Sequence, residues 1–340
     1  MGIQLGKLVH PKDVPLPSLK GRKLALDAYN MLYQFLATIR QPDGRVFTNP
    51  NGVVTSHLVG LLYRTSSLLE NGILPVYVFD GKPSELKAAT LRGRAMVKAR
   101  AAEEWEKALA AGDLELAKKK AAATSRVTEE MVRDARELLE AMGVPWVQAL
   151  SEGEAQASYM ASKGEVWGVA SEDYDTLLFG APRLIKGLAA LKSSARDPGV
   201  VRLLETAEVL RELAISQEEL VLLGMLMGTD FNEGFDGIGP KKALKMVSEH
   251  AGYEATLVKV GGDPAALSPV RDLFATPPHA DDYSIKWNKP DLPRLEQMLV
   301  TTQGFDASRV SKVIARLSRC PEPTPGAPRQ IALDSFGGVQ

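Results

Sequence analysis

Four short apolar runs in this 340-residue chain each end on, or just before, aspartate or glutamate, and helix-patterned stretches separate them. Lys23-Leu-Ala-Leu-Asp27 reads as a buried strand feeding a helix around Met31 to Ile39, and Leu74-Pro-Val-Tyr-Val-Phe-Asp80 as a second strand closed by Gly81-Lys82-Pro83. Val144-Pro-Trp-Val-Gln148 and Val166-Trp-Gly-Val-Ala170 read as a third and a fourth. After the third comes Ser151-Glu-Gly-Glu154, where Ser151 is expected to cap a helix whose first turn carries both glutamates. Ser171-Glu-Asp-Tyr-Asp175 follows the fourth. Apolar runs alternating with helices predict an α/β fold with a mostly parallel central sheet flanked by helices. Such sheets bind ligands beyond the carboxyl ends of their strands. Asp27, Asp80, Glu152, Glu154, Asp173 and Asp175 are therefore expected to converge there.

A seventh acid, Asp230 in Gly228-Thr-Asp230, follows a helix predicted over Gln217 to Met227. So many carboxylates in one place repel each other unless cations sit between them, and hard oxygen ligands select Mg²⁺ or Mn²⁺. Any one of these acids alone reads as a surface or capping residue; it is the set of seven that predicts a metal site. Two ions roughly 4 Å apart can ionise a water for in-line attack on phosphorus and neutralise the leaving oxygen. Asp27, Asp80, Glu152 and Glu154 are expected to form the tighter group, Asp173 and Asp175 to hold a second ion, and Asp230 to act through water.

With 45% hydrophobic residues the chain can build a sizeable core. Its one cysteine, Cys320, excludes an intramolecular disulfide, and Pro11, Pro15 and Pro17 occupy the place of an apolar signal core. No window approaches the roughly 18 apolar residues of a membrane span. A soluble, intracellular protein of a reducing cytosolic or nuclear compartment, with no membrane association, is expected. The net charge of −1 conceals an asymmetry. Lys82 to Arg100 carries six basic residues against Glu85, whereas Leu150 to Asp175 carries six acids against Lys163. A polyanion-binding strip thus accompanies a cation-binding pocket.

Residues 81–128 read as an insertion of two charged helices interrupted at Ala111-Gly-Asp113, with too little apolar content for a core of its own and expected to stay mobile until something binds it. Because it leaves the sheet right after Asp80, a basic arch over the acidic pocket is expected. Lys87 and Arg94, seven apart on one helical face, can reach the same phosphate, where an arginine donates two hydrogen bonds to developing charge. Tyr33, six residues after Asp27, suits either the core or base stacking. Lys118, Lys119, Lys120 and Arg126 on the far limb suit the phosphates of a single strand. Arg309, Lys312, Arg316 and Arg319 form a basic helical stripe suited to duplex backbone. Gly237-Ile-Gly239-Pro-Lys241-Lys242 before a helix brings backbone N–H groups and charge to a phosphate, and residues 216–250 resemble a helix-hairpin-helix type of duplex-binding element.

Met1-Gly-Ile-Gln4, Leu26-Asp-Ala28, Val78-Phe-Asp-Gly-Lys-Pro83, Ser151-Glu-Gly-Glu-Ala155, Glu172-Asp-Tyr-Asp175, Gly228-Thr-Asp230 and Gly237-Ile-Gly-Pro-Lys241 occur in an order and spacing that resemble the flap endonuclease family of structure-specific 5′ nucleases, archaeal and eukaryotic type. The resemblance runs from the first residue to about Arg319. It implies that the seven acids hold two divalent metals, that Lys87 and Arg94 steer the scissile phosphate, and that Tyr33 stacks on a nucleobase beside it. It also implies a K⁺-dependent duplex contact around Gly237 to Lys242, and a pocket for a one-nucleotide 3′ flap in the stretch holding Thr55 and His57, though a lone His such as His57 is otherwise read as a surface or capping residue. Gly153 departs from the pattern, since many members carry alanine between the two glutamates; a helix looser by about 1 kcal/mol is expected.

Pro321, Pro323, Pro325 and Pro328 predict an extended linker, after which Gln330, Leu333 and Phe336 recur at spacings of three. This resembles the box with which flap endonucleases bind a PCNA-like sliding clamp. Gly337 stands where a second aromatic normally follows, which predicts a contact weaker by roughly 1 to 2 kcal/mol. The expected organisation is one nuclease domain over residues 1–319 and a tail over 320–340. The expected function is Mg²⁺-dependent hydrolysis of phosphodiesters where duplex DNA meets an unpaired 5′ strand, by a monomer acting on branched DNA with a 5′ flap in replication and repair. Two other readings remain: a related nuclease preferring nicks, bubbles or four-way junctions, and a noncatalytic junction-binding or clamp-adapter protein.

Overall fold

A computed structural model describes residues 3–191 and 199–320. Seven strands form one sheet: β1 (Lys12–Pro15), β2 (Lys23–Asp27), β3 (Leu74–Phe79), β4 (Trp146–Gln148), β5 (Gly168–Ala170), β6 (Arg183–Lys186) and β7 (Val200–Glu205). They lie in the order β1-β7-β6-β5-β2-β3-β4. The block from β6 to β4 is parallel, while β7 is antiparallel to both β6 and β1. The chain builds outward from central β2 to β3 and β4 on one side, then to β5 and β6 on the other. This reversal places the switch point at the carboxyl ends of β2, β3 and β5, where ligands of open α/β sheets bind.

The first predicted strand forms as read, the second ends one residue early at Phe79, and the last two are shorter. Val144 and Pro145 precede β4 in the turn, with the Pro145 carbonyl accepting from the Tyr77 N–H at 3.1 Å. Val166 and Trp167 precede β5, whose ladder to β2 begins at Gly168. Helix α1 (Ala28–Thr38) starts three residues earlier than expected because Asp27 caps it, accepting from the Asn30 N–H at 3.0 Å.

One face of the sheet packs against α1, α2 (Ser56–Glu70) and the helices Glu129–Ala141 and Ala307–Leu317, through Leu26, Tyr77 and Phe79 among others. The other face, with Ala25, Val76, Val78, Val147 and Val169, is covered in part by an irregular strap at 277–290. Tyr283, Ile285 and Trp287 of the strap pack on this face, the Trp287 Nε1–H donates to the Pro75 carbonyl, and His279 stacks on Tyr159 at 3.7 Å.

The insertion forms two helices, α3 (Ala88–Ala110) and α4 (Leu114–Ala122), turning at Gly112 as predicted. Among the described residues no helix is long and apolar enough to cross a membrane. The hairpin is braced: Ala117 and Ala121 are buried, and Gly44 comes so close that a Cβ there would lie 2.8 Å from the Ala121 Cβ. Trp105 Nε1–H also donates to the Asp43 carbonyl at 3.4 Å.

Candidate functional site

Each acid reaches the site by a local device. Asp27 is both the last residue of β2 and the cap of α1. Asp80 follows β3, and its Oδ1 accepts from the Gly153 N–H at 2.6 Å. Glu152 and Glu154 stand at the start of the helix Gly153–Ser162, where Ser151, contrary to expectation, does not cap: Glu152 occupies the cap position and makes no side-chain capping bond. The free first-turn amide of Gly153 is taken by Asp80 instead. Glu154 Oε1 accepts from Ser171 Oγ at 2.6 Å and Thr176 Oγ1 at 3.0 Å. Asp175 accepts from the Ile3 N–H at 3.1 Å, so the amino-terminal segment reaches into the site. Asp173 lies between them, its N–H bound to Ser171 Oγ.

The seventh acid comes from farther along the chain. Asp230 is buried near the start of the loop after Gln217–Met227, a helix that opens with a Ser216–Glu219 capping box. It ties to the arch through Thr90 Oγ1, which donates to its carbonyl at 2.8 Å, and through Arg94 Nη2, which lies 2.6 and 2.7 Å from its two carboxylate oxygens. Lys87 pairs with Glu152 and stands 3.4 Å from Asp230.

Mutual repulsion is written into the protonation of the cluster. Burial, then Asp80, lifts Asp27 to about 8. Burial, then Glu152, lifts Asp80 to about 6, with the Gly153 N–H opposing. Burial, then Asp230, lifts Asp175 to about 7, and burial with Asp173, Asp27 and Asp175 lifts Glu154 well above its ordinary value. Burial alone would lower Lys87, but Glu152, Asp230 and Asp80 outweigh it and raise its pKa. These interactions link all seven acids into one field. As the side chains stand, no group of three or more acids among the described residues forms a metal-binding cluster; Lys87 and Arg94 lie among them as countercharge. Buried, mutually repelling oxygen donors such as Asp27, Asp80, Glu154 and Asp175, each pushed above the usual carboxylate range, fit hard divalent ions.

The model matching residues 1–101 is the XPG N-terminal domain, and the one matching 143–230 is the XPG I-region. Flap endonuclease 1 of Aeropyrum pernix is 46% identical over 332 residues, covering 94% of this chain and 95% of that protein. Its counterpart in Methanosarcina acetivorans is 44% identical, covering 99% of this chain and 100% of that protein. The chain belongs to the flap endonuclease family. The solved flap endonuclease-1 of Methanococcus jannaschii, at 39% identity, superposes on this flap endonuclease with a TM-score of 0.75, covering 93% of this chain and 98% of that one. It is a divalent-metal-dependent nuclease whose fold carries the acids.

Other expected site residues of this flap endonuclease fall in different settings. Tyr33 is half-buried and turned to the arch, with Lys98 Nζ 4.4 Å from its ring centre and 3.3 Å from its hydroxyl. Lys118, Lys119 and Arg126 are exposed, whereas Lys120 is paired with Glu104 at 2.6 Å. Thr55 is only 4% exposed and works at the base of its loop, its N–H donating to the Phe47 carbonyl. His57 is not a surface or capping residue: it is fully buried with neither ring nitrogen hydrogen-bonded, and burial lowers it to about 4. Gly237 has φ +70°, Gly239 caps the helix Pro240–Val247, and Lys241 and Lys242 are exposed beside them. Met1, Gly2, Gln330, Leu333 and Phe336 lie outside the described residues.

Sequence reasoning missed Ser171, Thr176, Thr90 and the Ile3 amide, which hold acids without being acids. The one available signal was the serine heading Ser171-Glu-Asp, two residues ahead of Asp173. The Gly153 departure also gains a reason: an added Cβ would lie 2.7 Å from Asp80 Oδ1.

Proposed function

We propose that the seven acids hold two Mg²⁺ ions, for which Mn²⁺ can substitute, and that this structure-specific 5′ flap nuclease cuts branched DNA at the junction of duplex and unpaired 5′ strand. The observation that carries this reading is the single field of acids drawn from five loops, into which Lys87 and Arg94 of the arch root reach. When bound, divalent ions supply an ionised water and neutralise the leaving 3′ oxygen. Lys87 and Arg94 then have a phosphate to exchange for Glu152 and Asp230, and Arg94 donates to its nonbridging oxygens. Tyr33 stacks on the adjacent base, in the place where Lys98 now rests. Lys118, Lys119, Lys120 and Arg126 follow the flap, with Lys120 exchanging Glu104 for phosphate, and Thr55 supports a 3′-flap pocket from beneath. Gly237, Gly239, Lys241 and Lys242 hold the duplex with K⁺. Gln330, Leu333 and Phe336 bind a PCNA-like clamp, and the enzyme acts as a monomer.

The noncatalytic alternative is not favoured by membership of this family. The test is Asp173→Ala, assayed by single-turnover cleavage of a labelled 5′-flap duplex and by DNA binding in Ca²⁺. Cleavage should collapse with affinity little changed. Near-normal turnover at ordinary Mg²⁺ would remove the metal assignment.

A further inference from the structure

Asp80 stands where the chain leaves the sheet, so no strand partner continues the ladder at its carbonyl. The Gln148 side chain supplies the donor. Its Nε2 lies 2.7 Å from the Asp80 carbonyl oxygen, 3.0 Å from that of Ala149 and 3.3 Å from that of Phe79. Its Oε1 accepts from Arg136 Nη2. Arginine only donates and a carbonyl only accepts, so a single orientation of the amide serves both sides. Arg136 is fixed in turn, its guanidinium 4.7 Å from the ring centre of Phe79 and 4.6 Å from that of Trp146, two rings that meet edge to face at 5.9 Å. The Gly153 N–H separately holds the Asp80 carboxylate. Asp80 is gripped at its backbone and at its carboxylate by different elements. The next residue shares the restraint: the Gly81 N–H donates to the Ser151 carbonyl at 2.6 Å.

We infer that Arg136 and Gln148 are positioning residues for the cleavage reaction, an inference that rests on the proposed role of Asp80 as a metal ligand. By holding the Asp80 main chain they set the aim of its carboxylate, and they set the root from which Gly81 to Lys87 rise into the arch. Both therefore act on metal affinity and on the placement of Lys87 through Asp80 and Gly81. Groups that orient metal ligands in this way typically change metal affinity or activity by about 10- to 100-fold when removed, and a shift of about 1 Å in a reacting group is enough to do so.

The test uses the full chain with Gln148→Met, which keeps length and loses both hydrogen-bonding ends, and Gln148→Glu, which keeps the acceptor for Arg136 and loses the donor to the carbonyls. Mn²⁺ binding to the DNA-free protein is read by electron paramagnetic resonance, and single-turnover cleavage is read across a Mg²⁺ titration. Both variants should bind Mn²⁺ about 10-fold more weakly and cleave about 10-fold more slowly at low Mg²⁺. Their rates should approach the parent's at high Mg²⁺, with flap affinity in Ca²⁺ unchanged. Unchanged Mn²⁺ binding in both variants overturns the inference, as does a rate loss equal at every Mg²⁺ concentration. Asp80→Asn separates the two levels. If it too leaves Mn²⁺ binding intact, the metal-ligand reading of Asp80 fails; if it alone weakens binding, only the positioning role fails.

Discussion

Stripping divalent ions from this enzyme should make it less stable as the pH rises from 6.5 to 8. Burial and the neighbouring acids hold Asp27 at about 8 and Asp175 at about 7. A carboxyl whose folded pKa is raised binds more protons folded than unfolded between the two values, so stability falls as pH rises through that interval. His57 works in the opposite sense. Burial lowers it from 6.5 to about 4, so it adds stability as pH rises from its folded to its unfolded value and only about 0.4 kcal/mol more above 6.5. In the chosen window the acids therefore dominate. The folded cluster carries on the order of one extra proton there, worth about 1.36 kcal/mol per pH unit, or about 2 kcal/mol over about 1.5 units. For a chain of this length about 2 °C follows each kcal/mol, so Tm in EDTA should be about 4 °C lower at pH 8 than at pH 6.5. Saturating Mg²⁺ binds the deprotonated acids and should abolish or reverse the fall. Thermal melts at the two pH values, with EDTA or Mg²⁺, make the comparison. A flat or rising Tm in EDTA refutes the proton-holding cluster, and a fall that Mg²⁺ leaves untouched refutes the metal assignment.

Arg94→Ala should slow single-turnover cleavage by about 100-fold or more with little loss of duplex affinity; weaker binding with an unchanged saturated rate would make Arg94 an anchor only. Lys241→Ala combined with Lys242→Ala should weaken binding to all sequences and flatten its salt dependence by about two phosphate contacts, and an unchanged salt slope would take the duplex-anchor role from this element. Deleting residues 330–340 should leave cleavage of free flap DNA intact and abolish stimulation by the cognate clamp, whereas equal stimulation of both proteins would dismiss the clamp box.

The active end of the sheet was legible because strand ends and acids coincide: Asp27 and Asp80 announce themselves by closing apolar runs. The arch was legible from its charge and from Ala111-Gly-Asp113. β1, β6 and β7 were not: β6 and β7 were not read as strands, and β1 is a four-residue strand ending in Pro15 whose pairing is set by a partner far along the chain. The strap at 277–290 has no period to read, yet Tyr283, Ile285 and Trp287 finish a face for which helices alone were expected. The grip on Asp80 was hidden for another reason. Gly153 looked like a lapse in helix propensity, and only the approach of the Asp80 carboxylate explains it; Gln148 looked like an ordinary strand residue until its amide met three carbonyls.

Pairing β1 with β7 has a consequence for the order in which the enzyme is made. Lys12 meets Leu203, about 190 residues later, and a ribosome adding about 5–20 residues per second needs roughly 10–40 s to cover that distance. The Ile3 amide waits almost as long for Asp175, and Asp230, which anchors Thr90 and Arg94, emerges later still. A nascent chain thus displays both helices of the arch well before Asp230, the seventh acid of the site, exists. In synthesis, the arch is complete before the residue that anchors its root.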